Sequence, residues 1–143
     1  MDPDDPRPRG IFQALSPQEC RELLGTTNVG RVGFASSRGQ VILPVNFVFH
    51  TGAIYFRTAP TGPLGELADG VQDVAFEIDH HAKLLQSGWS ILVAGSARAV
   101  DDDELATSGN PPVHPRPWAA GTRDLLVRLS PRTISGRRAS TPG

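Results

Sequence analysis

The chain has 143 residues, 14 Lys and Arg against 15 Asp and Glu, a formal net charge of −1 and 38% hydrophobic residues. That length supports one domain with a single core, and the near-neutral balance offers neither a basic footprint for nucleic acid nor an acidic solvating tail. Cys20 is the lone cysteine, which excludes an intrachain disulfide and a cysteine-based metal pattern; no run reaches the ~20 apolar residues of a membrane helix, and the reading is a reducing, cytoplasmic compartment.

Fifteen Gly and 13 Pro favour many turns and few long helices. Residues 1–14 open on Asp, Pro and Arg without an apolar stretch, unlike a secretory signal, and read as a disordered leader. Ser16 is a good N-cap, Pro17 takes the first helical position and Glu19 completes a capping box. A helix is expected to about Leu24, stopped by Gly25, with Leu15, Cys20, Leu23 and Leu24 on its buried face. Residues 29–35 alternate small and apolar side chains and predict a strand, followed by a turn at 36–39.

Residues 41–50 and 53–58 are crowded with β-branched and aromatic side chains, and Thr51 and Gly52 between them supply turn chemistry, so a β-hairpin is expected. Pro44 lies inside its first arm. Proline cannot donate to a ladder, so it marks an edge, a bulge or a place where the ladder opens. At the far end, Arg57 and Thr58 join a guanidinium fork to a hydroxyl, a pair that suits a phosphate oxygen or a carboxylate better than a strand core.

A short helix or turn is expected around 64–69, then a strand over 72–79 with Glu77 on a different face from Phe76 and Ile78. His80 and His81 open an irregular connection. Residues 88–100 form the longest strand candidate, bent at Gly95; 101–104 cap a brief helix; 108–121 make a proline-rich surface loop; 123–138 form the last strand; and 139–143 are a loose tail. About six short strands with two or three short helices, no repeats and no βαβ rhythm predict a mainly β domain over 15–138, a small closed or half-closed barrel. Adjacent strand residues point to opposite faces and chelate poorly, and His50 and His114 are isolated, so no metal site is assigned.

In this order and spacing, residues 15–24 (LSPQECRELL), 29–33 (VGRVG), 43–48 (LPVNFV), 54–59 (IYFRTA), 74–77 (VAFE), 88–95 (GWSILVAG), 117–118 (PW) and 134–137 (ISGR) resemble the pyridoxamine 5′-phosphate oxidase-like family. The similarity is to its actinobacterial flavin- and deazaflavin-binding branch, which includes nitroimidazole-resistance-type proteins. The resemblance implies a six-stranded antiparallel split β-barrel, the FMN-binding split barrel, that forms a homodimer with flavin sites at the interface. It implies FMN as the usual cofactor, with the deazaflavin F420, FAD or haem in some branches. Arg57 and Thr58 match the block that holds the flavin phosphate. Pro44, Val45 and Asn46 match the strand lining the isoalloxazine. Trp89 and Ser90 match the Gly-Trp-Ser block near the ribityl chain and phosphate, although Trp89 also suits a core position. Gly62 and Leu64 fall in the loop after the phosphate block, and Trp118 is placed to reach the partner's ring or to anchor its own loop.

The chain departs from the family pattern in that loop. Where a Gly-Thr-Lys-Leu block is usual, Thr61, Gly62, Pro63 and Leu64 stand here, with Pro63 at the position of the second phosphate ligand. A charge-assisted hydrogen bond contributes roughly 1.5–3 kcal/mol, so FMN affinity falls by about one to two decades unless Arg38, Lys83 or a partner-chain arginine compensates. The leading expectation is a flavin- or deazaflavin-dependent oxidoreductase that acts on a small organic molecule, its hydride chemistry belonging to the cofactor, with no nucleic-acid or membrane partner. Oxidation of pyridoxamine 5′-phosphate itself is disfavoured by the short chain and the missing basic cluster. A flavin- or haem-holding sensor of the same fold is the alternative, favoured by Pro63; a cofactor-free dimer comes next, and a nucleic-acid-binding barrel is opposed by the charge.

Overall fold

The computed structural model describes residues 11–82, 84, 87–107 and 125–140. Seven antiparallel strands dominate: β1 (Ile11–Ala14), β2 (Val29–Ser36), β3 (Gly39–His50), β4 (Ala53–Thr58), β5 (Val71–Ala82), β6 (Ser87–Val100) and β7 (Leu125–Ser140). Helix α1 (Pro17–Leu24) follows β1, a 3-10 turn (Gly65–Asp69) follows β4, and α2 (Asp102–Thr107) follows β6. Six strands close a ring in the order β7, β4, β3, β2, β5, β6 and back to β7. The split barrel expected from the sequence is thus present.

Strand β7 is the spine of the ring. Its partner on one side is β6 along nearly its whole length; on the other it meets β4 through residues 125–129 and β1 through 137–140. β1 is the seventh strand. Its residues fall within the expected leader, but their backbone completes the free edge of β7, from Ile11 opposite Ser140 to Ala14 opposite Arg137. Ala139 and Ser140 likewise belong to β7 and not to a loose tail, because β1 and β6 pair with them. The His80–His81 segment is also ordered as strand: β5 runs on to Ala82, with His80 opposite Trp89 and His81 opposite Gly88.

Local signals read from the sequence hold at the helix and the hairpin. The Ser16 hydroxyl accepts from the Glu19 N–H and the Glu19 carboxylate accepts from the Ser16 N–H, each at 3.1 Å, which holds the Glu19 carboxyl below its ordinary value. Gly25 ends α1 in a right-handed conformation (φ −81°), so its role is not the left-handed cap. Thr51 (φ 46°) and Gly52 (φ 81°) both take positive φ, the signature of a type I′ turn between His50 and Ala53.

The core fills the ring. Val32, Phe34, Phe47, Ile54, Phe56, Phe76, Ile78, Ile91, Val93, Val127 and Leu129 point inward, and Phe47 meets Phe76 edge-on at 4.8 Å. Leu15, Cys20 and Leu24 of the α1 region join this cluster, as do Leu64 and Leu67 of the 3-10 turn. Gly136 makes room for α1, since a Cβ there would stand 2.9 Å from the Cys20 sulfur. Burial pushes the Cys20 thiol up, which makes it an inert packing group. A bulge at Ala94 and Gly95 bends the β6–β7 pair opposite Pro131, as the glycine and proline suggest. Among the described residues, no helix is long and apolar enough to cross a membrane.

Candidate functional site

The hairpin of β3 and β4 comes apart where the matched residues lie. Its last pair is Phe47 with Phe56. Beyond it β4 continues on β7, with Arg57 opposite Leu126 and Thr58 opposite Leu125, while β3 continues on β2, with Val45 opposite Gly30 and Pro44 opposite Arg31. Asn46 and Arg57 therefore stand on either side of the opening. The Phe47 N–H donates to the Asn28 carbonyl on the β2 side. By strand alternation, position 44 faces the other edge, where β3 has no strand neighbour among the described residues. Pro44 thus costs the sheet no ladder bond.

Arg57 is directed to the outer face of the barrel, beneath the start of α2. Tyr55 and Ala53 lie on the same face and pack with Leu105 of α2 and Leu126 of β7 in a small second cluster. This packing brings Asp102, at the first position of α2, to 2.8 Å from the Arg57 guanidinium. The Arg57 side chain is 17% exposed and that of Asp102 is 66% exposed. The carboxylate alternative for this arginine is thus realised. Asp102 carried no ligand signature in the sequence; only the return of α2 over β4 identifies it.

The other matched residues are placed unequally. Thr58 and Gly62 are half-buried. Val45 is 3% exposed and Leu64 is 4% exposed, both in the main core, so their side chains hold the barrel together and only their backbones can reach a ligand. The loop after β4 is wound tightly: the Gly62 N–H donates to the Ala59 carbonyl at 3.1 Å and the Gly65 N–H to the Gly62 carbonyl at 3.0 Å. A Cβ at Gly65 would stand 2.0 Å from the Pro60 carbonyl oxygen, so that position requires glycine. Pro63 is exposed at the tip.

Trp89 and Ser90 lie at the far end of β6. The indole packs partly on the main core and stacks with His80 at 6.1 Å, so the core alternative holds for part of its surface. Ser90 falls on the opposite face, beside Arg137 and Asp79. Leu126 pairs with both Arg57 and Val100, and the ten residues from Val100 back to Ser90 span on the order of 30 Å of strand. Within one chain, the two groups of matched residues are therefore apart. Trp118 and Lys83 lie outside the described residues.

Sequence reasoning also missed a charged triad on the outer face of β2 and β5. The Arg31 guanidinium contacts Glu77 at 3.0 Å and Asp79 at 3.3 Å. Partial burial and the neighbouring Asp79 push the Glu77 carboxyl up, against the pull of Arg31. Among the described residues no cluster of three or more His, Cys, Asp or Glu could hold a metal ion.

Comparison with known proteins agrees with this architecture. Residues 16–138 match the family described as pyridoxamine 5′-phosphate oxidase. An uncharacterised protein of Mycobacterium tuberculosis is 30% identical over 128 residues, 87% of this chain and 83% of its own length. The solved structure of an FAD-binding protein from Mycobacterium smegmatis superposes with a TM-score of 0.70 at 32% identity, covering 91% of this chain and 98% of that one. An FAD-binding protein from Mesorhizobium loti shares the fold at 19% identity with a TM-score of 0.72, over 92% of this chain and 99% of its own. The chain belongs to the pyridoxamine 5′-phosphate oxidase-like family of split barrels.

Proposed function

We propose that this protein is a flavin-dependent oxidoreductase that works as a homodimer, with the cofactor between the two copies and electrons or hydride passed to a small organic molecule. The observation that carries this reading is the opening between β3 and β4, where Arg57 and Thr58 end one strand and, on the other, β3 runs on without a strand neighbour on that side among the described residues. The donor set fits the group. A guanidinium and a hydroxyl suit the phosphate end of a flavin, and a strand edge interrupted by Pro44 offers a flat wall with backbone groups for a ring.

A bound flavin supplies the redox chemistry, and the chain supplies position and exclusion of water. Arg57 neutralises the phosphate once Asp102, mostly exposed, turns away to solvent. Pro44 and Asn46 orient the ring from the side. Trp89 and Ser90 are too far along β6 to reach the same cofactor from the same chain, and this supports a second copy as their contributor. Pro63 leaves the phosphate one cation short, which weighs against plain FMN and towards FAD, the ligand named for the M. smegmatis relative. F420 has the same anchoring demand. The missing cation equally favours the non-catalytic reading, in which the barrel holds flavin or haem without turnover.

Titration of the purified protein with FMN, FAD, F420 and haem, read by visible absorbance and flavin fluorescence, tests the proposal. Saturable binding of a flavin, followed by its reduction by a nicotinamide or other donor and reoxidation by an organic acceptor, is the expected result. A protein that binds none of the four refutes both readings. Binding without any reduction leaves the sensor reading in place of the enzyme.

A further inference from the structure

The opening between β3 and β4 has a second corner. The two arms part after the Phe47–Phe56 pair. Ten residues back from Phe47, in the β2–β3 turn, stands Ser37; ten residues on from Phe56 stands Glu66. There the arms meet again. The Ser37 N–H donates to Glu66 Oε2 at 3.0 Å, and the Ser37 hydroxyl donates to the other carboxylate oxygen, Oε1. The opening is thus a bounded eyelet, closed by a strand pair at one end and by a single carboxylate at the other.

Local chemistry prepares both halves of this clasp. In the β2–β3 turn the Ser36 hydroxyl accepts from the Arg38 N–H at 3.1 Å and donates to the Gly39 carbonyl at 2.7 Å. Ser36 therefore shapes the turn, and the polar groups of Ser37 go to a partner outside it. On the other side, Leu64 and Leu67 are buried in the core on either side of Glu66. The backbone that carries the carboxylate is already fixed, so the grip costs little further ordering. The bonds from Ser37, followed by the charge of Arg38, hold the Glu66 carboxyl below its ordinary value. The clasp is ionised at neutral pH and its hydrogen bonds are charge-assisted. Residues 59–64 belong to no strand; the bonds from the Gly62 N–H to Ala59 and from the Gly65 N–H to Gly62 give them their shape.

We propose that Glu66 is the positioning residue of the opening: by gripping the β2–β3 turn it sets the separation between the edge of β3 that carries Pro44 and Asn46 and the loop that follows Arg57 and Thr58. The consequence for a cofactor rests on the flavin reading of the opening; the clasp itself does not. Its negative charge makes Glu66 unfit to touch a phosphate, so it acts through the backbone that it holds.

Amide hydrogen exchange and FMN titration of the parent, Glu66→Ala and Glu66→Gln test the proposal. In ligand-free Glu66→Ala, exchange at Gly62 and Gly65 is expected to rise about tenfold or more, while the β5–β6 ladder keeps its protection. The melting temperature should stay within about 3 °C of the parent. Glu66→Gln keeps a side-chain oxygen for the Ser37 N–H and should recover most of the protection. FMN affinity should fall about five- to tenfold in Glu66→Ala, chiefly through faster release, and recover in Glu66→Gln. Exchange at both glycines within about twofold of the parent in Glu66→Ala overturns the clasp. Loosened glycines with unchanged FMN affinity overturn its positioning role. A parent that binds no flavin, but whose two glycines still loosen in Glu66→Ala, refutes the flavin reading and upholds the clasp.

Discussion

Arg57 and Asp102 form an ion pair at 2.8 Å that joins the end of β4 to the first residue of α2. The pair is asymmetric, with the arginine largely enclosed and the carboxylate facing water. On the proposed flavin site, a ligand phosphate would compete with Asp102 for one guanidinium. Arg57→Ala is expected to lower flavin affinity at least about tenfold, the scale of one charge-assisted bond. Asp102→Asn should raise it by a few-fold, since it removes the competitor and leaves the arginine. Fluorescence titration of both variants decides the matter: an unchanged dissociation constant in Arg57→Ala removes that residue from the phosphate role.

Pro63→Lys restores a cation at the tip of the loop after β4. The tip is exposed and no backbone contact there depends on proline, so the substitution should leave the barrel intact. The expected gain in FMN affinity is about tenfold or more, from a bond of roughly 1.5–3 kcal/mol. Equal affinity in the variant and the parent would place the phosphate elsewhere.

Glu77 predicts a pH dependence of stability. Its carboxyl is held above the ordinary value by burial first and Asp79 second. The folded chain thus binds the proton more tightly than the unfolded chain does, and this group's contribution to stability falls as pH rises through the carboxylate range. Glu77→Gln should then be at least as stable as the parent at neutral pH, with the difference vanishing on acidification. Thermal melts across that range provide the check. A variant that melts well below the parent at neutral pH would show instead that the Arg31 contact outweighs burial.

Gly95 and Gly33 provide a packing test. A Cβ at Gly95 would stand 2.1 Å from the Ser130 carbonyl oxygen, a backbone atom that cannot turn aside, whereas at Gly33 the nearest atoms are 3.5 Å away. Gly95→Ala is expected to cost about 3 kcal/mol and Gly33→Ala close to nothing, measured from urea midpoints. Equal costs would mean that the β6–β7 bulge relaxes freely.

Much of the fold was legible in the chain because its signals are local. The Ser16–Glu19 capping box, the Thr51–Gly52 turn, the bend at Gly95 and the alternation of Phe76, Glu77 and Ile78 each depend on residues within a few positions of one another, and each is present as read. The segments misjudged were those whose order comes from a distant partner. Residues 11–14 have no hydrophobic pattern strong enough to announce a strand, and His80 and His81 look like a loop; both gain their ladder bonds from β7 and β6.

The same division governs the site. Sequence by itself determined which side chains are candidates for the chemistry: Arg57 with Thr58 and a proline in the neighbouring arm, to which the family resemblance adds a loop with Pro63 where a lysine is usual. Tertiary structure alone decided what those side chains meet. Val45 and Leu64 turn into the core, Asp102 is folded back onto Arg57, and Phe12 and Arg137 come to share one slot with Ser90. The physical reason is that a residue's type sets which bonds it can form, whereas barrel closure and strand register set which partners lie within reach. Those partners are 45 residues apart for Arg57 and Asp102, a separation at which no local pattern survives.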